Sequence, residues 1–126
     1  MDPHEFLDGG TVRVAPATYA VCRVEAPVAS AFATVRDDTE TTVVVDEAGG
    51  VPEAATDVSR GWRRLTFEME LPFELVGFLA VVAGELADAG VSIFALSSYS
   101  TDHVLVDDGD VAAARRRLEA LGCTVT

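Results

Sequence analysis

Six consecutive residues, Ser97-Ser98-Tyr99-Ser100-Thr101-Asp102, gather aliphatic hydroxyls, a phenol and a closing carboxylate. Hydroxyls supply neutral hydrogen bonds, and a carboxylate takes an ammonium by a charge-assisted one. Upstream, Pro72 is the kind of residue that opens a helix, and free N–H groups in a first turn accept a carboxylate. Gly77, without a Cβ, permits close approach to that turn. Carboxylate donors facing an acid match the two poles of a free amino acid or a similar small zwitterion. The same residues also have a plain structural use: serine and threonine belong in turns, and Gly77 suits helix–sheet packing. Spacing alone favours neither use.

Other chemistries fit less well. Asp102 and His103 are neighbours on an expected strand and so point to opposite faces, which stops them acting on one substrate. Ser97, Ser98 and Ser100 have no base in reach of the pattern, Cys22 has no positioned partner, and no catalytic constellation emerges. His103 reads as structural or solvent-facing, and His4 lies at a terminus that looks disordered. The acids Asp107, Asp108 and Asp110 lack the distal glutamate of a calcium loop and serve better as helix caps, so no metal and no cofactor is expected. An RNA-reading sheet would set aromatic rings among basic residues, and Phe94 and Tyr99 have none nearby.

These residues need elements to hold them. Trp62 to Glu70 alternates, with Leu65, Phe67 and Met69 on one face, as a half-buried strand does. A helix is expected from Pro72, with Leu75, Phe78, Leu79, Val82 and Leu86 inward and Gly90 at its end. Val91 to Leu96 reads as a central strand, Ser97 to Thr101 as a turn and His103 to Val106 as a returning strand. Asp107 to Asp110 caps a second helix, with Val111, Ala114, Leu118 and Leu121 inward and Arg115 spaced to pair with Glu119. Cys123 to Val125 closes the series. The order is β-α-β-β-α-β, an α+β, ferredoxin-like arrangement of antiparallel sheet with helices on one face.

The first half reads as a worn copy of the second. Phe32-Ala33 lies 62 positions before Phe94-Ala95, and Val43 to Glu47 lies 61 before Val104 to Asp108. The change of offset is expected in the turn, where a deletion costs least. Strand Tyr19–Val24 would precede a helix reduced to Pro27–Ala31, and Pro52 to Val58 would stand for the second helix. This divides the chain into a degenerate module over 1–60 and a complete one over 61–126.

Composition narrows the partners. Twenty-one acids face nine basic residues, all arginine, for a net charge of −12. That sign repels phosphate backbones and anionic lipid, so neither nucleic acid nor membrane is an expected partner. The complete lack of lysine points to adaptation to high salt, where acids hold hydration. Cys22 and Cys123 lack metal-type spacing and are expected as buried free thiols in a reducing, cytoplasmic setting. The opening residues are acidic, and the apolar stretch Leu75 to Ala83 is too short to span a bilayer.

Four stretches together resemble the ACT-domain superfamily, and within it the two-ACT proteins related to the cytosolic arginine sensor (CASTOR) family. They are Tyr19 to Val24, Gly61-Trp62-Arg63, Leu71 to Gly77, and Gly90 to Val106. The last, of the form G-[IV]-S-[IV]-x-A-[IL]-S-[ST]-[YF]-x-x-D-[YH]-x-L-V, is the specific one. The resemblance implies tandem ACT repeats that bind a small effector at an inter-domain or inter-subunit seam. It implies contacts at Pro72, Ser98, Tyr99, Thr101 and Asp102, with Asp102 grasping the α-amino group. Phe73, Gly77 and Ser97 join them from the residue reading, and Ser92 and Ile93 would contribute from a neighbouring module. The chain carries half the sensors' modules, so a homodimer is implied. It departs from their pattern at Leu75, where an acid helps read arginine, and at Pro72, where they have glycine. Both departures point to a smaller or more apolar amino acid. The expected function is that of a non-catalytic amino-acid sensor; the alternatives are a dimerisation or adaptor module with a vestigial pocket, and an enzyme using the interface cleft.

Overall fold

Alternating apolar residues and glycine-terminated amphipathic runs produce seven strands and three helices in the computed structural model, which describes residues 1–126. They are α1 (Pro3–Leu7), β1 (Thr11–Val24), β2 (Ala33–Arg36), β3 (Thr41–Asp46), β4 (Asp57–Phe67), α2 (Phe78–Asp88), β5 (Ile93–Ser97), β6 (Asp102–Asp107), α3 (Val111–Ala120) and β7 (Thr124–Val125). The chain divides into two compact units, one of residues 1–15 with 64–126 and one of residues 16–63. The sequence boundary between residues 60 and 61 thus lies near a unit boundary, while the first fifteen residues group with the C-terminal unit. Both long strands, β1 and β4, contribute to each unit. The switch falls at Pro16 on β1, which lacks a ladder donor, and near Gly61 on β4, whose φ of +80° suits only glycine.

The C-terminal unit is α+β and ferredoxin-like, with its helices on one face of the sheet. Leu65 and Phe67 of β4, Val104 and Val106 of β6, and Val12 of β1 pack against Phe78, Val82 and Leu86 of α2 and Ala114 and Leu118 of α3. The rings of Phe67 and Phe78 meet edge to face with centroids 5.2 Å apart. Each buried side chain of this size stabilises by about 1.5–3 kcal/mol. Arg115 of α3 donates to the Val125 carbonyl at 2.7 Å, tying that helix to β7.

Several expectations change. The N-terminus is ordered: Asp2 caps α1 by accepting from the His4 amide at 3.0 Å, Pro3 opens it, and Leu7 is fully buried. The strand at Tyr19 reaches back to Thr11, and that extension inserts beside β7, pairing Thr11 with Thr124 and Val12 with Val125 in parallel. β4 starts at Asp57 and stops at Phe67, earlier at both ends than the alternation indicated. The helix does not begin at Pro72. Residues 71–77 form an irregular segment with one turn closed by the Leu75 amide on the Pro72 carbonyl, and α2 starts after Gly77 at φ +88°. β5 is an edge strand, not a central one, since it pairs only with β6.

The N-terminal unit holds its own core of Ala20, Cys22, Val24, Val43 and Val45. Where helices would lie there are single turns, closed by Ala31 on Val28 and by Ala55 on Pro52, so Pro52–Val58 is not helical. Its hairpin pairs Ala33 with Val44 and Arg36 with Thr41, and the other hairpin pairs Phe94 with Leu105 and Ser97 with Asp102. Both strands therefore superpose at a constant offset of 61 residues, with four-residue loops in each. The match of Phe32-Ala33 to Phe94-Ala95 is one position out of register, and the turn holds no deletion. Both cysteines are buried and free, and burial raises each thiol above its ordinary value. No helix is long and apolar enough to cross a membrane.

Candidate functional site

The β5–β6 hairpin and the irregular segment before α2 enclose a groove of ≈ 180 Å³. Leu71, Pro72, Phe73, Leu75 and Phe78 line one side, and Ser97, Ser98, Tyr99, Thr101 and Asp102 the other. The hairpin is pinned to the segment by the Leu71 amide on the Ser100 carbonyl at 2.7 Å, and to β4 by Thr101 Oγ1 on the Phe67 carbonyl at 2.5 Å. The turn itself closes through the Ser98 amide and hydroxyl, which both donate to the Thr101 carbonyl, at 2.9 and 3.2 Å.

Ser97 and Asp102 are register partners, so their side chains share a face, and Ser97 Oγ donates to Asp102 Oδ1 at 2.6 Å. An ionised carboxylate has about four acceptor positions, of which this bond uses one. At the other side of the groove, Phe78 is the first residue of α2, and its cap residue Gly77 makes no side-chain cap bond. The first amides of a helix lack intrahelical partners and carry the positive end of its dipole. The donors inferred after Pro72 thus lie six residues further on, at the start of α2.

Of the ten residues selected from sequence, Pro72, Phe73, Ser97, Ser98, Tyr99, Thr101 and Asp102 line this groove. Gly77 is not among the lining residues; a Cβ there would meet only Pro3 Cγ at 3.8 Å. Ser92 and Ile93 lie at the far end of β5, with Ile93 opposite Val106, about 13 Å along the strand from Ser97. Leu71, Leu75 and Phe78 line the groove as well, and their clustering around Pro72 is the apolar signal in the sequence. Phe73 and Tyr99 stack edge to face at 4.9 Å while 74% and 82% exposed.

Behind the hairpin runs a polar chain that the sequence did not flag. Arg64 Nη1 donates to Thr66 Oγ1 at 2.9 Å, Thr66 Oγ1 meets His103 Nδ1 at 2.8 Å, and His103 Nε2 meets Ser98 Oγ at 3.2 Å. A larger groove of ≈ 520 Å³ lies in the N-terminal unit among Arg23, Asp37, Asp38, Glu40 and Asp57. Three of its acids are already engaged. Arg23 pairs with Glu40 at 3.1 Å and Asp57 at 3.5 Å, and Asp37 holds its own turn through the amides of Thr39 and Glu40, which lower its carboxyl below the usual value. At the offset of 61, Arg36 and Thr41 stand where Ser97 and Asp102 do, so this unit lacks the hydroxyl–carboxylate pair.

Residues 57–120, covering β4 through α3, match the ACT domain family. The chain belongs to the ACT-domain family. Its fold is shared with protein Atu0741 from Agrobacterium tumefaciens, at a TM-score of 0.80 and 24% identity over 94% of this chain and 92% of that one. The protein VC0802 from Vibrio cholerae matches at 0.72 and 21% identity over 92% of each. The ligand-free regulatory subunit of aspartate kinase from Thermus thermophilus matches at 0.65 and 13% identity, over 91% of this chain and 98% of that one. At such identities the likeness speaks for the ACT fold alone. No curated protein matches the chain.

Proposed function

We propose that this ACT protein is a non-catalytic sensor module that binds a free amino acid or similar small zwitterion at a seam between two copies of itself. ACT domains are small-molecule-binding regulatory modules, which sets the class. The observation that carries the rest is the Ser97–Asp102 pair in a groove that Phe78, the first residue of α2, also lines. Asp102 would take the ammonium, and the first amides of α2 the carboxylate. Leu71, Leu75 and Phe78 would receive an apolar side chain in preference to the guanidinium that the arginine sensors read.

A groove of ≈ 180 Å³ falls below the ~300–1,000 Å³ of ordinary ligand sites, so a second wall is needed. The edge strand β5 offers one. Residues 89–101, which include it, form a run of thirteen without a charged side chain in a chain that is 24% charged. Edges left free of charge are open to pairing. An antiparallel pairing of β5 with its own copy about Ala95 would place Ile93 of one opposite Ser97 of the other. That gives Ser92 and Ile93 a place in the site despite their distance within one chain. We place this sensor in the cytoplasm, on its free thiols, and in a salt-rich interior, on its charge.

Melting curves with each protein amino acid in turn test the reading. Saturation at about a hundredfold over Kd adds about 2.7 kcal/mol and raises Tm by roughly 10 °C for a chain of this length. One or a few amino acids should do so, with a dimer in sedimentation. A stable dimer indifferent to every amino acid would instead favour the adaptor reading, which the exposed Phe73, Val76 and Tyr99 support. A strict monomer would sink both.

A further inference from the structure

The hydrogen bonds behind the binding hairpin have a direction. Ser98 spends its hydroxyl proton on the Thr101 carbonyl, so at its other contact it must accept, and His103 Nε2 must donate. A neutral imidazole protonated at Nε2 is bare at Nδ1, which then accepts from Thr66. Thr66 in turn accepts from Arg64. The relay thus runs from Arg64 to Thr66 to His103 to Ser98 and ends on the turn carbonyl of the hairpin.

We infer that His103 makes the hairpin that carries Asp102, and with it ligand affinity, depend on proton uptake, with binding weakening as the imidazole becomes doubly protonated. The inference rests on the proposed amino-acid site. Two forces act in the same sense. A proton on Nδ1 confronts the hydroxyl proton of Thr66, whose oxygen already accepts from Arg64; Thr66 must turn that proton away and accept from Nδ1–H as well, which reverses the bond that orients the ring toward Ser98. An imidazolium next in sequence to Asp102 also opposes the ammonium that Asp102 would hold. The charged groups around the ring are Arg64 on β4 and Asp102 on β6, and β5 contributes none. Burial first, and Arg64 second, hold the imidazole below its ordinary value, while Asp102 pulls it up. The ring therefore takes up its second proton at lower pH than an ordinary imidazole does. By linkage, a ligand that disfavours the proton lowers the imidazole pKa further when it binds.

Two measurements on the full chain decide the matter. In NMR titrations without ligand, the amides of Ser98 and Thr101 should shift with the midpoint of the His103 ring, and this shift should vanish in His103→Gln. Thr66→Val, which removes the proton donated to Nδ1 without changing side-chain size, should raise the ring's pKa. Hairpin amides that ignore the ring's titration would overturn the inference. In melting experiments with a mixture of all protein amino acids, the ligand-induced shift should be smaller at a pH about one unit below the ring's NMR midpoint than at a pH about one unit above it. In His103→Gln it should be the same at both. A wild-type shift equal at the two pH values would also overturn it. No shift at either pH would sink the amino-acid reading itself, while the NMR titration still decides whether the hairpin answers to the ring.

Discussion

Phe73 and Tyr99 hold their rings edge to face, 4.9 Å apart at 78°, on a surface where both are mostly exposed. Another such pair in the C-terminal unit, Phe67 with Phe78, is buried in its core. The two pairs have the same geometry and should differ in what they stabilise. Phe67→Ala should cost about 3–5 kcal/mol in denaturant unfolding, through lost burial and a cavity. Tyr99→Ala should cost within about 0.5 kcal/mol, as exposed positions do. Its effect should fall on dimerisation, read by sedimentation. A Tyr99→Ala chain that unfolds as easily as Phe67→Ala would show that the outer pair belongs to the core.

Asp102→Asn should leave the fold intact and remove the amino-acid-induced melting shift. The substituted amide can still accept from Ser97, so the hairpin keeps its bond, and the stability change should stay near 1 kcal/mol. What disappears is the charge that an ammonium needs. A melting shift of undiminished size in Asp102→Asn would take the ammonium away from this residue.

The legible and illegible parts of this chain divide by physical cause. α3 is readable because its apolar spacing and the closing Gly122 agree, although Asp107 caps the short turn Asp108–Asp110 ahead of it and the α3 cap residue, Asp110, makes no side-chain bond. The hairpin was readable because apolar strands flank a polar run. The start of α2 is not legible at Pro72, since Pro suits a turn as well as a first helical position, and here it opens the turn closed by the Leu75 amide. α1 escaped notice although Asp2-Pro3 is a cap followed by a helix-opening proline; five residues with one buried leucine leave little periodicity. β5 looked central because it is apolar, but its strand neighbours depend on distant sequence that no local pattern encodes. The relay from Arg64 to Ser98 joins residues 34 positions apart and depends on strand register, which only the folded sheet supplies.

Two glycines should respond to alanine with opposite signs. Gly122 sits at φ +98°, and a Cβ there would stand 2.6 Å from Asp8 Oδ1 and 3.0 Å from Asp8 Cα. Strain of this kind costs about 1–3 kcal/mol, and the backbone contact leaves little room to yield. Gly84 lies on the exposed side of α2 with nothing within 4 Å of its would-be Cβ. There alanine should stabilise by about 0.5–1 kcal/mol, the helix-interior difference between the two residues. Denaturant midpoints of both variants check the pair. Destabilisation by Gly84→Ala would mean that this side of α2 is covered.

The charge makes the last prediction. Twenty-one acids in 126 residues repel one another at every separation within a screening length. That length is about 10 Å at 0.1 M salt and about 3 Å at 1 M. If repulsion between exposed acids is the whole penalty, Tm should climb steeply with potassium chloride and level off below about 1 M, once neighbouring acids no longer sense each other. If the surface is adapted to a salt-rich interior, Tm should keep rising at molar concentrations, because the acids then hold hydrated cations beyond what screening requires. The choice of chloride matters, since sulfate would strengthen apolar burial and mimic the second outcome. A Tm that is flat from dilute buffer to molar chloride would mean that the acids are already balanced in pairs such as Arg23 with Glu40 and Asp57, and that the missing lysines say nothing about salt.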